Sequence, residues 1–297
     1  MQRIFDWSAK EAERTVTVAD LRAARSLGKR YTQVTANTEE EAAAAEEAGI
    51  EMVVARARNV ETVRRGSRRI FTTAALGFAE AVTPDEILRS AFKALTDGAD
   101  AVITARGLST VCALAAEDIP VMGHLGLVPR KSTWVGKLRA VGKTTDEAVQ
   151  LYQRFRRLED AGAFAVECEV IPAKVMSEIR RRTGLVTVSL GSGPDADALF
   201  LFTEDICGEA ERLPRHAKAY GNLHELKKRV QEERVRALRA FRDDVCMRAF
   251  PGDREMSKIS DMEFEAFVSA LDAKGLRAHR PVTSRALIAP YGQTRRK

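Results

Sequence analysis

The segment 119–193 carries the side chains best suited to chemistry. His124 lies in Gly123-His124-Leu125-Gly126-Leu127, directly after a short apolar run. Glu167 and Glu169 are two residues apart on a second run, so their carboxylates share one side of a regular strand. Burial at a strand end raises the pKa of a carboxyl group, which suits a general base near neutral pH. We therefore predict Glu169 and His124 as catalytic residues; the alternative is a structural pairing with a neighbouring Lys or Arg for Glu169, and a structural hydrogen bond for His124.

A third run ends in Gly191-Ser192-Gly193, whose backbone N–H groups could hold a carboxylate or phosphate. We predict these three residues as substrate-binding, with a plain glycine turn as the alternative. The loop 129–143 carries charged residues and Trp134, and it is long enough to act as a lid.

These residues need a scaffold that brings strand ends together, and the pattern of strands and helices predicts one. Helices are expected between and around the strands, with clear start signals at Thr38 and at Thr83-Pro84-Asp85-Glu86, and a leading helix near 17–28 could plug the bottom of a barrel. Eight short strands are predicted: 31–36, 50–55, 70–74, 98–104, 119–123, 164–169, 185–190 and 199–203. This alternation favours an α/β fold, a (β/α)8 TIM barrel with additional C-terminal helices. The alternative is an open doubly wound sheet, but the GxGxxG expected after its first strand is absent from the sequence.

The composition shifts near residue 223. Residues 1–222 are predicted to form the barrel domain, and residues 223–297 a C-terminal helical extension packed on the barrel or on a neighbouring subunit. Two charge-rich helices are expected there, at 225–248 and 261–273, and the basic end 277–297 could be a mobile tail.

Composition narrows the class of protein. The chain has 297 residues, 45% hydrophobic and 30% charged, and no apolar run approaches the length needed to cross a membrane. Its four cysteines are widely spaced, which favours isolated thiols in a reducing, cytoplasmic setting. The net charge of +6 is spread among acidic residues without interleaved aromatics, so we predict no nucleic-acid partner. The dense cluster Arg64-Arg65-Gly66-Ser67-Arg68-Arg69 is interpreted as a solvated loop, with a phosphate patch as the alternative.

In their order along the chain, several motifs resemble the ketopantoate hydroxymethyltransferase family, a member of the phosphoenolpyruvate mutase and isocitrate lyase barrel superfamily. The most specific is Gly123-His124-Leu125-Gly126-Leu127, and the likeness runs from about residue 29 to 252. The other matching pieces are 29–36, Thr83-Pro84, Gly98-Ala99, 136–142, Gly162-Ala163 with Glu169 and Pro172, 191–193, 214–220 and 250–252.

The resemblance implies an enzyme that acts on a small 2-oxo acid through an enolate, with hydroxymethyl transfer as the reaction. It implies a magnesium ion and methylenetetrahydrofolate as cofactors, a homo-oligomer, and the roles of proton-transfer residue for Glu169 and active-site histidine for His124.

The chain departs from the family pattern where the metal is expected. Arg56 and Ala57 stand where the family has an aspartate and a serine, and Ala75 and Ala105 stand where it has two further acids. Since magnesium is held mainly by carboxylate oxygens, we predict that its usual site does not form here. Arg56, Arg58 and Arg106 are therefore predicted as substrate-binding residues, because a guanidinium can hold a carboxylate and stabilise an oxyanion. The alternative is a metal-free homologue that binds a small anion or a partner and has lost the transferase reaction.

Overall fold

The computed structural model describes residues 4–275, and a closed barrel of parallel strands organises most of them. The strands are β1 (Ile4–Phe5), β2 (Glu11–Ala12), β3 (Tyr31–Thr35), β4 (Met52–Arg56), β5 (Phe71–Ala75), β6 (Ala101–Ile103), β7 (Val121–Gly126), β8 (Ala165–Glu169), β9 (Val186–Leu190) and β10 (Ala198–Leu201). β1 and β2 pair as an antiparallel hairpin, and β3 to β10 close in chain order, with β10 hydrogen-bonded to β3. The predicted (β/α)8 barrel is therefore confirmed.

Helices connect and follow the barrel strands. They are α1 (Val18–Ala24), α2 (Glu39–Glu47), α3 (Val60–Gly66), α4 (Pro84–Thr96), α5 (Leu108–Ala115), α6 (Ser132–Val135), α7 (Thr145–Asp160), α8 (Ala173–Arg180), α9 (Thr203–Ile206), α10 (Leu223–Cys246) and α11 (Asp261–Ala273). Within residues 4–275, none is both long and apolar enough to cross a membrane.

Threonine caps set several of the helix starts. Thr38 and Thr83 accept hydrogen bonds from the N–H groups of Glu41 and Glu86, whose side chains bond back to the capping residues. Such capping boxes satisfy N–H groups that a helix leaves unpaired at its start. The sequence carries no start signal for α3 and α5, and both begin without a side-chain capping bond.

Alternation along the strands divides the apolar core into two layers. Met52 and Val54 of β4 belong to a cluster inside the barrel, whereas Val53 and Ala55 pack outward under the helices. Leu21 of α1 belongs to the inner cluster, as expected for a helix that plugs one end. The same alternation places polar side chains on interior-facing positions of the strands, among them His124, Glu167 and Glu169.

Largely buried ion pairs hold Asp100, which lies directly before β6. Arg14 and Arg64 both bind Asp100, at 2.5 and 2.6 Å. Arg64 belongs to the basic cluster 64–69, and two further members form ion pairs, Arg65 with Glu39 and Arg69 with Glu13. Three of the four arginines in this cluster therefore form ion pairs with carboxylates.

The chain divides into two compact units, residues 1–228 and residues from 229 onward. The division falls inside α10, whereas the sequence placed the boundary before that helix. Where the extension packs stays a prediction. The predicted mobile tail lies outside the described residues. The four cysteines, Cys112, Cys168, Cys207 and Cys246, are free thiols, as expected.

Candidate active site

Strands β7 and β8 bring one imidazole and two carboxylates together inside the barrel. In the register of the two strands His124 lies opposite Glu167, and Gly126 opposite Glu169. The Nδ1 atom of His124 is 3.5 Å from Glu167 Oε1, and its Nε2 atom is 3.0 Å from Glu169 Oε2. Cys168 points the other way and packs in the outer layer. The sequence predicted that the acids would share a face, and the structure adds that His124 bridges them.

The contacts of His124 determine where its proton lies. Nε2 lies 2.9 Å from the carbonyl oxygen of Leu127 as well as near the Glu169 carboxylate. Both partners accept hydrogen bonds, so Nε2 carries a hydrogen and donates it. Nδ1 faces Glu167 and can accept a proton from it or donate one to it. The three side chains therefore form a continuous path for a proton.

Burial and mutual charge shift the pKa values of this group. The pKa of Glu167 is raised to about 7, mainly by burial; the charge of His124 opposes the shift, and the charge of Glu169 adds to it. For His124, burial alone lowers the pKa, but the hydrogen bond to Glu169 and the charge of Glu167 outweigh it. The net pKa of His124 is therefore raised.

Glycines allow the tight backbone packing around His124. A Cβ atom on Gly126, whose φ is +98°, would lie 2.2 Å from the carbonyl oxygen of Glu169. A Cβ atom on Gly123 would lie 2.4 Å from Leu158 of α7. These two glycines therefore leave the space that neighbouring parts of the protein occupy.

The segment Gly191-Ser192-Gly193 follows β9 and connects its end to β8. The Ser192 hydroxyl donates to the carbonyl of Cys168 at 2.7 Å and accepts from the N–H of Ile171 at 2.8 Å. The Ser192 N–H donates to Ser189 Oγ. Ser192 is thus fully engaged in holding the loop, and a substrate-binding role for the segment stays a prediction.

The three predicted arginines have different surroundings. Arg56 ends β4 on the interior-facing alternation of Met52 and Val54, and its side chain is exposed. Within residues 4–275 that side chain has no hydrogen bond or ion pair. Arg58 forms an ion pair with Glu80 at the surface. Arg106 donates to backbone carbonyls, and its buried Nε has no partner among the described residues.

The donor set does not fit the magnesium ion that the resemblance implies. At the expected positions Arg56 pairs in register with Ala75, and Ala105 follows β6, so these strand ends offer no carboxylate. Among the described residues, the His/Cys/Asp/Glu group that could surround a cation is His124, Glu167 and Glu169, with ligand atoms within 4.8 Å of one another. Those three already satisfy one another through protons, and a cation there would have to displace them.

Sequence reasoning missed two features of this region. Glu167 was noted for its orientation but not as a partner of His124, although its spacing from Glu169 carried the signal. The second feature is a basic pocket beside His124, to which Arg130, Arg154 and Arg157 contribute. These residues are far apart in sequence from Arg106, and no local motif marks them.

Inside the barrel, two polar side chains below the mouth lack partners. Gln33 of β3 and Thr73 of β5 are buried, and their side-chain polar atoms make no hydrogen bond within the described part of the chain. Both occupy interior-facing positions, as Glu167 does. Two unpartnered polar side chains therefore lie among the apolar residues that fill the barrel interior.

The fold and the site together define a (β/α)8 barrel protein with a buried acid–imidazole group toward the carboxyl ends of its strands. A sequence model of ketopantoate hydroxymethyltransferase matches residues 55–253. The 3-methyl-2-oxobutanoate hydroxymethyltransferase of Thermobifida fusca is 31% identical over 269 residues, covering 82% of this chain and 94% of that protein. The enzyme of the same name from Pyrobaculum arsenaticum is 33% identical, covering 65% and 72%.

The chain belongs to the ketopantoate hydroxymethyltransferase family, as its motifs predicted. Among solved structures, a 2,3-dimethylmalate lyase described as a PEP mutase/isocitrate lyase superfamily member is 13% identical. It aligns with a TM-score of 0.46 over 88% of this chain and 99% of that chain. The fold assignment rests on the closed barrel itself.

Proposed function

We propose that the chain makes or breaks a C–C bond next to the carbonyl of a small 2-oxo acid, with hydroxymethyl transfer as the reaction. The observation that carries the proposal is the pairing of Glu169 with His124 at the mouth of the barrel, in a member of a hydroxymethyltransferase family. The relatives' names identify 3-methyl-2-oxobutanoate as the first substrate to test.

In the proposed reaction Glu169 is the base. It removes the proton from the carbon next to the ketone, so the C–H electron pair becomes an enolate. The enolate carbon then attacks a formaldehyde-level carbonyl carbon, whose C=O electron pair moves to oxygen; that oxygen takes the proton from Glu169, which gives the hydroxymethyl group and restores the carboxylate. A methylene carrier would supply this one-carbon unit by reaction with water and would be released as the free carrier. His124 donates from Nε2 to Glu169, which orients the carboxylate. The donor implied by the family, methylenetetrahydrofolate, is part of the proposal.

A cation must balance the carboxylate of the substrate and the charge of the enolate. Arg56 is the best candidate, because it ends an interior strand and no described residue neutralises its side chain. An unpaired guanidinium can hold a carboxylate with two parallel hydrogen bonds. Arg58 is less suitable because Glu80 already pairs with it. No step is assigned to magnesium, since the donor set does not fit it.

Exchange of the substrate's α-deuterium, followed by NMR, tests the base directly. The substrate is 3-methyl-2-oxobutanoate deuterated at the carbon next to the ketone. The wild-type protein is expected to exchange it, and Glu169→Gln to be slower by about 10²- to 10⁴-fold, the usual contribution of a general base. Arg56→Gln should raise the substrate concentration needed for half-maximal rate. Arg89→Gln, an exposed position on α4, is the matched control.

Magnesium and a chelator are varied in the same experiment. Exchange that persists with chelator supports a site without the metal, and exchange that requires added magnesium contradicts that part. If the wild-type protein exchanges nothing with or without metal, the proposal fails. The alternative, a homologue that binds but does not react, would then be the better account. Loss of the reaction would explain why Arg56, Ala75 and Ala105 stand where the family has acids.

The proposal also includes a homo-oligomer in a reducing, cytoplasmic setting, with a small molecule as the partner and neither nucleic acid nor membrane. Exposed apolar residues on α10 and α11 support self-association: Leu238, Phe241, Val245, Met262, Phe264 and Phe267. Light scattering on the purified protein tests this, and a monomer at all concentrations would contradict it.

A further inference from the structure

A small pocket at His124 has five lysine and arginine residues in its lining. It has a volume of about 250 Å³ and lies where β6 and β7 end, between the start of α5 and one face of α7. Thr104, Leu125 and Val128 contribute to its walls, together with the N-terminal residues of α5. Its ionisable lining residues are His124, Arg106, Arg130, Lys131, Arg154 and Arg157.

Two of these cations are held in place by uncharged groups. Arg106 donates to the carbonyl oxygens of Gly77 and Phe78, and Arg130 donates to that of Ala105 at 2.6 Å. The guanidinium carbons of Arg130 and Arg106 also lie 3.3 and 5.0 Å from the centre of the Phe78 ring. Aromatic and carbonyl contacts fix the position of a guanidinium without cancelling its charge.

The remaining cations are uncompensated as well. Within residues 4–275, no ion pair with a carboxylate involves the five lysine and arginine residues of this pocket. Burial, and then the charges of Arg154 and Arg130, lower the pKa of Lys131. Burial, and then the charge of Arg157, lower the pKa of Arg154. The side chains therefore repel one another, which costs stability unless a ligand relieves it.

We propose that this pocket binds an anion that carries at least two negative charges, as a phosphate ester or a polycarboxylate does. Five fixed or tethered cations exceed what one carboxylate neutralises, so a simple 2-oxo acid alone does not explain the arrangement. The start of α5 adds N–H groups and the positive end of a helix dipole. His124 belongs both to the lining of this pocket and to the acid–imidazole group.

The inference goes beyond the proposed function and does not depend on turnover. Calorimetric titration of the full-length protein with pyrophosphate and, separately, with citrate tests it in the absence of any 2-oxo acid. We expect saturable binding of at least one of the two. Arg130→Gln and Arg154→Gln should each weaken it by about 10- to 100-fold, the usual effect of a lost charge-assisted hydrogen bond.

Arg156→Gln is the matched control, because Arg156 is a neighbour on α7 that is paired with Glu159 and does not line the pocket. It should bind the anion as the wild type does. Glu169→Gln should also retain binding, which separates a failure of this inference from a failure of the proposed reaction. Stabilisation of the wild-type protein against thermal unfolding by the same anions provides a second readout that needs no variant.

The outcomes divide as follows. Binding of pyrophosphate alone identifies a phosphate-type ligand, and binding of citrate alone identifies a polycarboxylate; either supports the inference. Neither anion binding at millimolar concentration would overturn it. So would equal weakening by Arg156→Gln, since that would point to net charge and not to the pocket.

Discussion

Glu167 makes the stability of the barrel depend on pH in a direction that the structure predicts. Burial raises its pKa from 4.5 to about 7 in the folded protein. Below pH 4.5 the carboxyl group is neutral in both states. Between these values the unfolded chain ionises while the folded protein keeps the proton, so stability falls as the pH rises. Above pH 7 both states are ionised, and the whole penalty of the buried charge remains.

The size of the penalty follows from the shift. One pKa unit corresponds to about 1.4 kcal/mol, so the folded protein loses about 3 kcal/mol between pH 4.5 and pH 8 through this group. His124 acts in the same direction, because its pKa is also raised and its contribution disappears as the pH rises through that value. For a unit of this size, a loss of about 3 kcal/mol corresponds to a fall of roughly 6–12 °C in Tm.

Glu167→Gln removes the ionisable group while keeping the shape of the side chain. Its stability relative to the wild type should therefore rise with pH, by about 3 kcal/mol across this interval. Urea unfolding followed by tryptophan fluorescence measures this for the barrel unit. The protein's two tryptophans, Trp7 and Trp134, both lie within residues 1–228.

The control for this experiment is Glu117→Gln, at an exposed position just after α5. Its stability relative to the wild type should stay within about 0.5 kcal/mol at every pH. The reasoning would be refuted if Glu167→Gln and the wild type differed by the same amount at pH 5 and pH 8. A variant that lost stability relative to the wild type as the pH rose would refute it equally.

Two further predictions concern residues that hold the site and the barrel together. Gly126→Ala places a Cβ atom 2.2 Å from the carbonyl oxygen of Glu169, so it should cost at least about 1–3 kcal/mol and abolish α-deuterium exchange, as urea unfolding and NMR would show. Asp197 is buried between Arg25 and Arg180, which help to lower its pKa against the effect of burial. Asp197→Ala should cost about 3–5 kcal/mol at pH 7 and less as the pH falls toward 3, because the unfolded wild-type chain then takes up a proton that the folded Asp197 does not; an equal cost at both pH values would contradict this.

The barrel was predictable because its signals are local. Several strands are short runs with β-branched residues, such as β9, and threonine residues such as Thr38 and Thr83 mark helix starts within four residues of chain. The helices α3 and α5 begin without such a cap, so the sequence carries no local start signal for them. The local sequence therefore determined the order of the strands and helices. Their alternation in turn favours closure of the strands into a barrel.

The candidate site was predictable only in part. His124 and Glu169 stand out because strand ends meet at one mouth, and the i, i+2 spacing places Glu167 on the same face. That the imidazole lies between the two acids depends on the register of β7 against β8, which the sequence does not contain. The raised pKa of Glu167 depends in turn on burial by strands from the rest of the barrel.

The basic pocket depended entirely on tertiary structure. Arg106, Arg130 and Arg154 come from separate segments, and in the sequence each resembles any other surface cation. Whether a cation is neutralised is decided by the groups within a few ångströms of it, because Coulomb energy falls with distance and with the exposure of the pair to water. The sequence alone determined that this chain is a barrel with an acid and a histidine at its mouth. Only the folded chain decided which charges beside them remain unpaired.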